Sequence, residues 1–263
     1  MNNHPIGIFD SGVGGISIWK ELNQRMPNED TVYLADSANA PYGQKSKEQI
    51  LQVSCKNTEL LLQMGCKIIV VACNTATTNA IEHLRSHYPV PFIGIEPAIK
   101  PAALHSKSKT IGVLATKGTL SSHLFSTTSK HHANGIRIIE QEGTGLVELI
   151  ESGNSSSEET KELLFTYVKP MLDAHIDHLV LGCTHYPYLI PLLKELLPKE
   201  VRIIDCGAAV ANQTYNVLKE QGLLNADLQK VGDHSFYTNT EVELFTTFLK
   251  DLPGNIEALH RNF

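Results

Sequence analysis

The chain has 263 residues, 42% hydrophobic and 19% charged, a composition typical of a globular protein with room for one large domain or two ordinary ones. Its 22 Lys and Arg residues stand against 28 Asp and Glu residues, and no dense basic stretch occurs, so we expect no nucleic-acid partner. The apolar runs are far shorter than the ~20 residues of a membrane helix, and the first residues lack a signal-peptide pattern. We therefore expect a cytoplasmic protein without a membrane partner.

Short β-rich runs alternate with helical patterns along the chain, which predicts parallel sheets covered by helices. The predicted strands are PIGIFD, TVYLAD, KIIVVAC, PFIGI, TIGVLAT, GIRIIEQ, HLVLGC, VRIID and SFYTN. After the first strand, Ile16, Trp19, Leu22 and Met26 share one helical face. Further helices are predicted around 46–64, 75–87, 145–151, 158–173, 188–197, 207–221 and 241–251.

Two pieces of sequence occur twice in the same order. Gly7 in PIGIFDSGVGG corresponds to Gly112 in TIGVLATKGTL, and Cys73 in KIIVVACNTATTNAI corresponds to Cys183 in DHLVLGCTHYPYLI. The offsets, 105 and 110 residues, nearly agree. This repetition predicts two similar α/β domains, which we place at 1–95 with 208–263 and at 96–207. If both domains present the carboxyl ends of their strands to one cleft, the two cysteines face each other there.

The matched cysteines, Cys73 and Cys183, each end a strand just before a likely helix start, where backbone N–H groups favour a thiolate or a bound carboxylate. Asn74, Thr75 and Thr184 add hydrogen-bonding groups beside them. Two opposed thiols suit inversion at a carbon with an acidic hydrogen, because one removes the proton and the other supplies one from the opposite face. Either cysteine alone is more simply a buried packing residue. The match between the copies favours function.

The other three cysteines, Cys55, Cys66 and Cys206, lack this double context and are predicted to be core or incidental residues. An odd number of scattered cysteines is typical of reduced thiols rather than of a disulfide framework. The chain has no C-x-x-C pair, and the C-x-H pair that includes Cys183 has no second pair with ligand spacing. We therefore expect no metal site.

Two loops follow the first two strands. The loop DSGVGG, residues 10–15, matches a dinucleotide-binding turn poorly, because Ser17 replaces the third glycine. Its Asp10 is either a carboxylate that acts near a thiol or on a substrate ammonium group, or a cap of the next helix. The loop DSANAPYG, residues 36–43, is rich in turn-forming residues, and its Tyr42 and Gly43 offer hydroxyl and amide donors.

His185 follows Cys183 by two residues and is suited to tune or relay its proton. Taken together, the loops and strand ends described above resemble the cofactor-independent aspartate/glutamate racemase superfamily, and within it the glutamate racemases. The resemblance extends over essentially the whole length of the sequence. The matching motifs, in the family's order, are IGIFDSGVGG, DSANAPYG, VVACNTAT, GVLATKGT and LGCTHYP.

The resemblance implies two flavodoxin-like domains in a pseudo-twofold arrangement, with the active site in the cleft between them. It implies interconversion of L-glutamate and D-glutamate for peptidoglycan synthesis, without pyridoxal phosphate, another cofactor or a metal. Homodimers are common in the family, so a homodimer is an expectation here.

By motif match, Cys73 is implied to act on the α-proton of D-glutamate and Cys183 on that of L-glutamate, assisted by Asp10 and His185 respectively. The residues implied to line the substrate site are Asp10, Ser11, Tyr42, Gly43, Asn74, Thr75, Thr184 and His185, with Pro41, Thr116, Thr119 and Glu151 at less distinctive positions. The segment before Glu151 departs from the family pattern, because this chain reads QEGTGLVELIE where many relatives have a cysteine–proline pair.

Three alternatives remain open. One is a racemase of the same superfamily that acts on aspartate or another amino acid. A second is a non-catalytic protein that binds a small acid, and a third is a hydrolase that uses one thiol and forms a thioester. The matched thiol pair favours the racemase, because neither binding nor single-thiol hydrolysis requires two opposed cysteines.

Overall fold

The computed structural model describes residues 4–132, 135–227 and 229–263. Residues 1–3, 133–134 and 228, which the predicted domains include, lie outside the described residues. The strands are β1 (Ile6–Asp10), β2 (Thr31–Ala35), β3 (Ile68–Val71), β4 (Phe92–Gly94), β5 (Thr110–Ala115), β6 (Arg137–Glu142), β7 (His178–Gly182), β8 (Arg202–Ile204), β9 (Asp233–Thr238) and β10 (Asn255–His260).

The helices cover both sheets. They are α1 (Ile16–Arg25), α2 (Lys47–Gln63), α3 (Asn74–His87), α4 (Ile99–His105), α5 (Lys117–Leu120), α6 (His123–His132), α7 (Leu146–Glu151), α8 (Glu158–Asp173), α9 (Ile190–Leu196), α10 (Gly207–Glu220) and α11 (Val242–Leu249). Within the described part of the chain, no helix is long and apolar enough to cross a membrane.

The strands form two wholly parallel sheets of matching order. One sheet has the order β10-β9-β2-β1-β3-β4 and the other the order β6-β5-β7-β8. The run β2-β1-β3-β4 therefore repeats as β6-β5-β7-β8, with Gly7 and Gly112 on the equivalent strands β1 and β5. This finding confirms the predicted fold of two similar parallel-sheet domains. The central strands β1, β3 and β7 are buried throughout, as strands covered on both faces must be.

The first sheet takes its strands from both ends of the chain, because β9 and β10 pair in parallel beside β2. The helix α10 packs against α1, so the carboxyl-terminal segment returns to the first sheet as predicted. The strand membership supports the division into 1–95 with 208–263 and 96–207, which stays a prediction. We did not predict β10, an edge strand whose residues are all partly or fully exposed.

Candidate active site

The carboxyl ends of the equivalent strands bring the predicted catalytic side chains together. Asp10 ends β1, Cys73 follows β3 by two residues, and Cys183 directly follows β7. All three side chains are buried. The two domains meet here, because the Thr184 hydroxyl lies 3.4 Å from Asp10 Oδ1 and donates to it. Ser11, the neighbour of Asp10, lies 3.9 Å from Cys73 Sγ, and Thr184 is the neighbour of Cys183, so both thiols lie beside Asp10 at one site.

Cys73 occupies the position before the first residue of α3. Its Sγ accepts a hydrogen bond from the Ala76 N–H at 3.5 Å and lies 3.9 Å from the Ser11 hydroxyl. Burial and the nearby Asp10 carboxylate raise the pKa of Cys73 well above its ordinary value of 9.0, and the Ala76 N–H only partly opposes them. Cys73 is therefore protonated at neutral pH and is able to donate a proton.

Cys183 lies beside an imidazole ring. His185 Nδ1 is 3.8 Å from Cys183 Sγ, and its Nε2 is 2.5 Å from Glu151 Oε1. Burial lowers the pKa of His185, but the contacts with Cys183 and Glu151 outweigh burial and hold this pKa well above its ordinary value of 6.5. The ring is therefore cationic at neutral pH, and a cation beside sulfur stabilises the thiolate.

Glu151, the last residue of α7, connects both domains. Besides its bond to His185, the carboxylate accepts a hydrogen bond from the Val13 N–H at 2.7 Å and one from the Ser37 hydroxyl at 3.3 Å. Glu151 therefore belongs to the network around Cys183, although its local sequence gave the weakest indication of any predicted site residue. That Glu151 lines the substrate site stays a prediction.

The glycines of the loop DSGVGG make room for this network. A Cβ atom on Gly12 would overlap the Glu151 carboxylate, and one on Gly14 would overlap the His185 ring. The glycine-rich sequence is thus explained by the close approach of side chains from the second domain.

Asp10 binds both the start of α1 and the second domain. Its Oδ2 accepts from the Gly15 N–H at 2.8 Å, while its Oδ1 faces Thr184. Burial raises the pKa of Asp10 from its ordinary value of 3.8 to about 6, against the opposing effects of His185 and the Gly15 N–H. The carboxylate is thus near its titration point at mildly acidic pH, as suits a group that handles protons.

Asn74 is buried, and neither atom of its amide group has a hydrogen-bond partner among the residues that the structure describes. A buried amide without partners carries a free-energy cost that a bound ligand can remove. Next to it, Thr75 Oγ1 lies 2.8 Å from Thr116 Oγ1 and 3.4 Å from Thr119 Oγ1. The structure thus brings the less distinctive Thr116 and Thr119 to the same place as Asn74 and Thr75.

The loop of residues 36–43 forms another wall. The Tyr42 hydroxyl donates to Asp36 Oδ2 at 2.5 Å, so its hydrogen is not directed at the cleft. That Tyr42 contacts a substrate stays a prediction. Because its hydroxyl donates to Asp36, such a contact would involve the backbone of Tyr42. A cavity of only about 30 Å³ separates Pro41 and Gly43 from Thr116 and neighbouring residues of the second domain. A Cβ atom on Gly43 would lie 2.9 Å from Thr116 Cβ, so the loop and the second domain pack closely here.

The sequence matches a known protein family over most of its length. The family model described as Asp/Glu/Hydantoin racemase matches residues 12–214. The chain belongs to the Asp/Glu/Hydantoin racemase family. A glutamate racemase of Ectopseudomonas mendocina is 50% identical over 257 residues, which cover 97% of this chain and 97% of that protein.

Solved structures of this racemase family have the same fold. Escherichia coli glutamate racemase, in complex with L-glutamate and the activator UDP-MurNAc-Ala, is 30% identical, covers 98% of both chains and has a TM-score of 0.85. Glutamate racemase from Francisella tularensis, in complex with D-glutamate, is 29% identical, covers 98% of both chains and has a TM-score of 0.83.

Sequence reasoning missed several polar residues that hold this racemase site together. The Ser17 hydroxyl lies 2.8 Å from Gly14 O and 3.0 Å from Thr184 O, and so connects the two domains. Asp36 and Ser37 lie in the loop of residues 36–43, of which only Pro41, Tyr42 and Gly43 were predicted to line the site. Among the described residues, no group of three or more His, Cys, Asp and Glu side chains has an arrangement that could hold a metal ion.

Proposed function

We propose that this chain is a glutamate racemase that interconverts L-glutamate and D-glutamate with two opposed thiols and no cofactor. One observation carries the proposal: Cys73 and Cys183 are buried, follow equivalent strands of two sheets of matching order, and lie beside Asp10 through the contacts of Ser11 and Thr184. Inversion of a tetrahedral carbon requires proton removal from one face and proton delivery to the other. Two like groups, one from each domain, meet that requirement.

In the direction from L- to D-glutamate, the Cys183 thiolate removes the α-proton. The cationic ring of His185, held by Glu151, stabilises this thiolate before it takes the proton. The resulting near-planar carbanion then receives a proton from the Cys73 thiol on the opposite face. In the reverse direction the roles exchange, and the Asp10 carboxylate assists Cys73 as proton acceptor.

Unused hydrogen-bonding capacity in the site favours an amino acid as the substrate. The amide of Asn74 has no partner among the described residues and is proposed to bind a carboxylate, together with the hydroxyl groups of Thr75, Thr184 and Ser11. Asp10 is a buried carboxyl group at the end of β1, beside the start of α1, and is proposed to hold the ammonium group. Pro41, Tyr42, Gly43, Thr116 and Thr119 are proposed to enclose the rest of the molecule.

Glutamate is proposed rather than aspartate because the complexes of the Escherichia coli and Francisella tularensis relatives contain L-glutamate and D-glutamate. D-Glutamate from this reaction would supply peptidoglycan synthesis. We place the reaction in the cytoplasm, where thiols such as Cys73 stay reduced, and we keep a homodimer as the expected assembly.

The substrate is tested by turnover of D-glutamate and D-aspartate side by side, with the rate of L-isomer formation as the measurement. We expect clear preference for D-glutamate. Preference for D-aspartate would replace the proposed substrate, and turnover of neither, with binding intact, would support the alternative of a non-catalytic binding protein.

The thiols are tested by Cys73→Ser and Cys183→Ser, with Cys55→Ser as the matched control because Cys55 lies outside the site. Each site variant should lose at least about 10²-fold in kcat, the usual contribution of a general acid or base. The control should keep full activity. A thioester adduct, or full racemisation after loss of one site thiol, would favour single-thiol chemistry instead.

A further inference from the structure

The side chain of Asn239 forms two hydrogen bonds to the first part of the loop of residues 36–43. This residue directly follows β9 in the carboxyl-terminal segment. Its Nδ2 donates to Asp36 Oδ1 at 2.6 Å, and its Oδ1 accepts from the Ala38 N–H at 2.8 Å. A single amide thus bonds one acceptor and one donor of the same loop, because a primary amide carries a donor and an acceptor on neighbouring atoms.

Asp36 transmits this attachment into the site. Its side chain is buried, and its Oδ2 accepts the hydrogen bond from the Tyr42 hydroxyl. Burial and the Asp36 carboxylate raise the pKa of Tyr42 well above its ordinary value of 10.0, so this hydroxyl keeps its hydrogen and the bond. The backbone N–H of Asp36 also donates to the carbonyl of Asp10 at 3.0 Å. A displaced Asp36 would therefore disturb Tyr42 directly and the end of β1 through the backbone.

The same loop also reaches the network around Cys183. Ser37, between Asp36 and Ala38, donates to Glu151 Oε2 at 3.3 Å. The position of this loop therefore bears on both the substrate walls and the carboxylate that holds His185. Within the described part of the chain, the hydrogen bonds of the Asn239 side chain go to Asp36, Ala38 and Phe263, and none goes to the four predicted catalytic side chains.

We propose that Asn239 is a positioning residue that fixes the loop of residues 36–43 in the geometry required for substrate binding. It lies outside residues 12–214, the range that the family model matches. The inference rests on the proposed function, because its kinetic measure is racemisation of glutamate. Its structural measure, the mobility of the loop, is independent of that function.

The test compares Asn239→Ala and Asn239→Asp with Asn255→Asp. Asn255 is a matched control because it donates to Asp233 at 3.1 Å at the opposite end of the same strands β9 and β10. Asn239→Asp keeps the volume of the side chain but sets a second carboxylate against Asp36. If Asn239 merely fills space, Asp is tolerated and Ala is not; if its hydrogen bonds position the loop, Asp is at least as harmful as Ala.

Loss of hydrogen bonds to a charged group typically corresponds to at least about a tenfold effect. We expect both Asn239 variants to raise KM for glutamate by about that factor and to change kcat less than about threefold, since neither thiol is touched. Asn255→Asp should leave both constants unchanged. Unaltered KM in the Asn239 variants, or tolerance of Asp with loss in Ala, would overturn the proposal.

Amide hydrogen exchange, measured by mass spectrometry on the protein without substrate, gives the independent result. Exchange within residues 36–45 should accelerate in both Asn239 variants and not in Asn255→Asp. Acceleration throughout the chain would indicate general loss of folding and count against the proposal. If the unaltered protein failed to racemise glutamate, the proposed function would fail, while the exchange data would still decide the role of Asn239.

Discussion

The Asp10 carboxylate is buried at the end of β1, and its burial raises its pKa from 3.8 to about 6. Because the folded state holds the proton more tightly than the unfolded state, Asp10 lowers the free energy of unfolding as pH rises. The destabilisation is absent below about pH 4 and complete above about pH 7. A difference of about two pKa units corresponds to about 3 kcal/mol.

Replacement of Asp10 by asparagine removes this titration while it keeps an oxygen for the Gly15 N–H. We expect Asp10→Asn to gain stability relative to the original protein as pH rises, by more than about 2 kcal/mol between about pH 4 and pH 7.5. Racemase activity should fall sharply in the same variant. Urea unfolding of both proteins at the two pH values measures the change, and comparison across pH cancels effects of the substitution that do not depend on protonation.

Asp177 provides a control of opposite sign. Burial alone would raise its pKa, but hydrogen bonds from the Ser108 N–H, His178 and the Ser106 hydroxyl outweigh burial and hold the pKa well below 3.8. Asp177 therefore stabilises the fold above the pKa of the unfolded state, and this contribution is lost as pH falls. Asp177→Asn should lose stability at neutral pH, with a smaller loss in acid. The raised pKa of Asp10 would be refuted if the stability difference between Asp10→Asn and the original protein did not change with pH. It would also be refuted if Asp10→Asn lost stability relative to the original protein as pH rose, as is expected of Asp177→Asn.

Two further substitutions test the network around Cys183. Glu151→Gln keeps an acceptor for the Val13 N–H but removes the charge beside His185. We expect NMR to show a lower pKa for His185 and kinetics to show a kcat/KM lower by about 10- to 100-fold, because a hydrogen bond to a charged group contributes roughly that much. An unchanged pKa of His185 would contradict this prediction. Gly14→Ala places a methyl group where the His185 ring lies. We expect a lower melting temperature and nearly complete loss of racemase activity. A fully active variant would show that Gly14 and His185 do not approach each other so closely.

Much of the fold followed from the sequence because buried parallel strands are continuous apolar runs. All nine predicted strands are present, and the internal repeat predicted two similar domains, whose sheets have matching strand orders. The strand β10 was missed because an edge strand with one neighbour and exposed residues has no such run. The helices α4, α5 and α6 were missed as well; α5 has only four residues, and α6 reads HLFSTTSKHH, which lacks a clear apolar stripe.

The site was predictable where its residues follow strand ends, since parallel strands deliver such residues to one edge of a sheet. This rule found Asp10, Cys73 and Cys183. It gave no indication of Glu151 as the link between Val13, Ser37 and His185, because that arrangement depends on how the two domains pack. Contacts between residues far apart in sequence leave no local pattern.

The two-thiol mechanism is tested most directly by racemisation of L-glutamate in deuterated water, stopped after a small fraction has reacted. Mass spectrometry of the separated isomers would measure deuterium at Cα. A two-thiol mechanism predicts deuterium in essentially all of the D-glutamate formed and protium in the unreacted L-glutamate, because Cys183 removes the original hydrogen and Cys73 supplies one exchanged from solvent. D-Glutamate that retained the original α-hydrogen, as a single base carrying it from face to face would produce, would contradict the two-thiol mechanism.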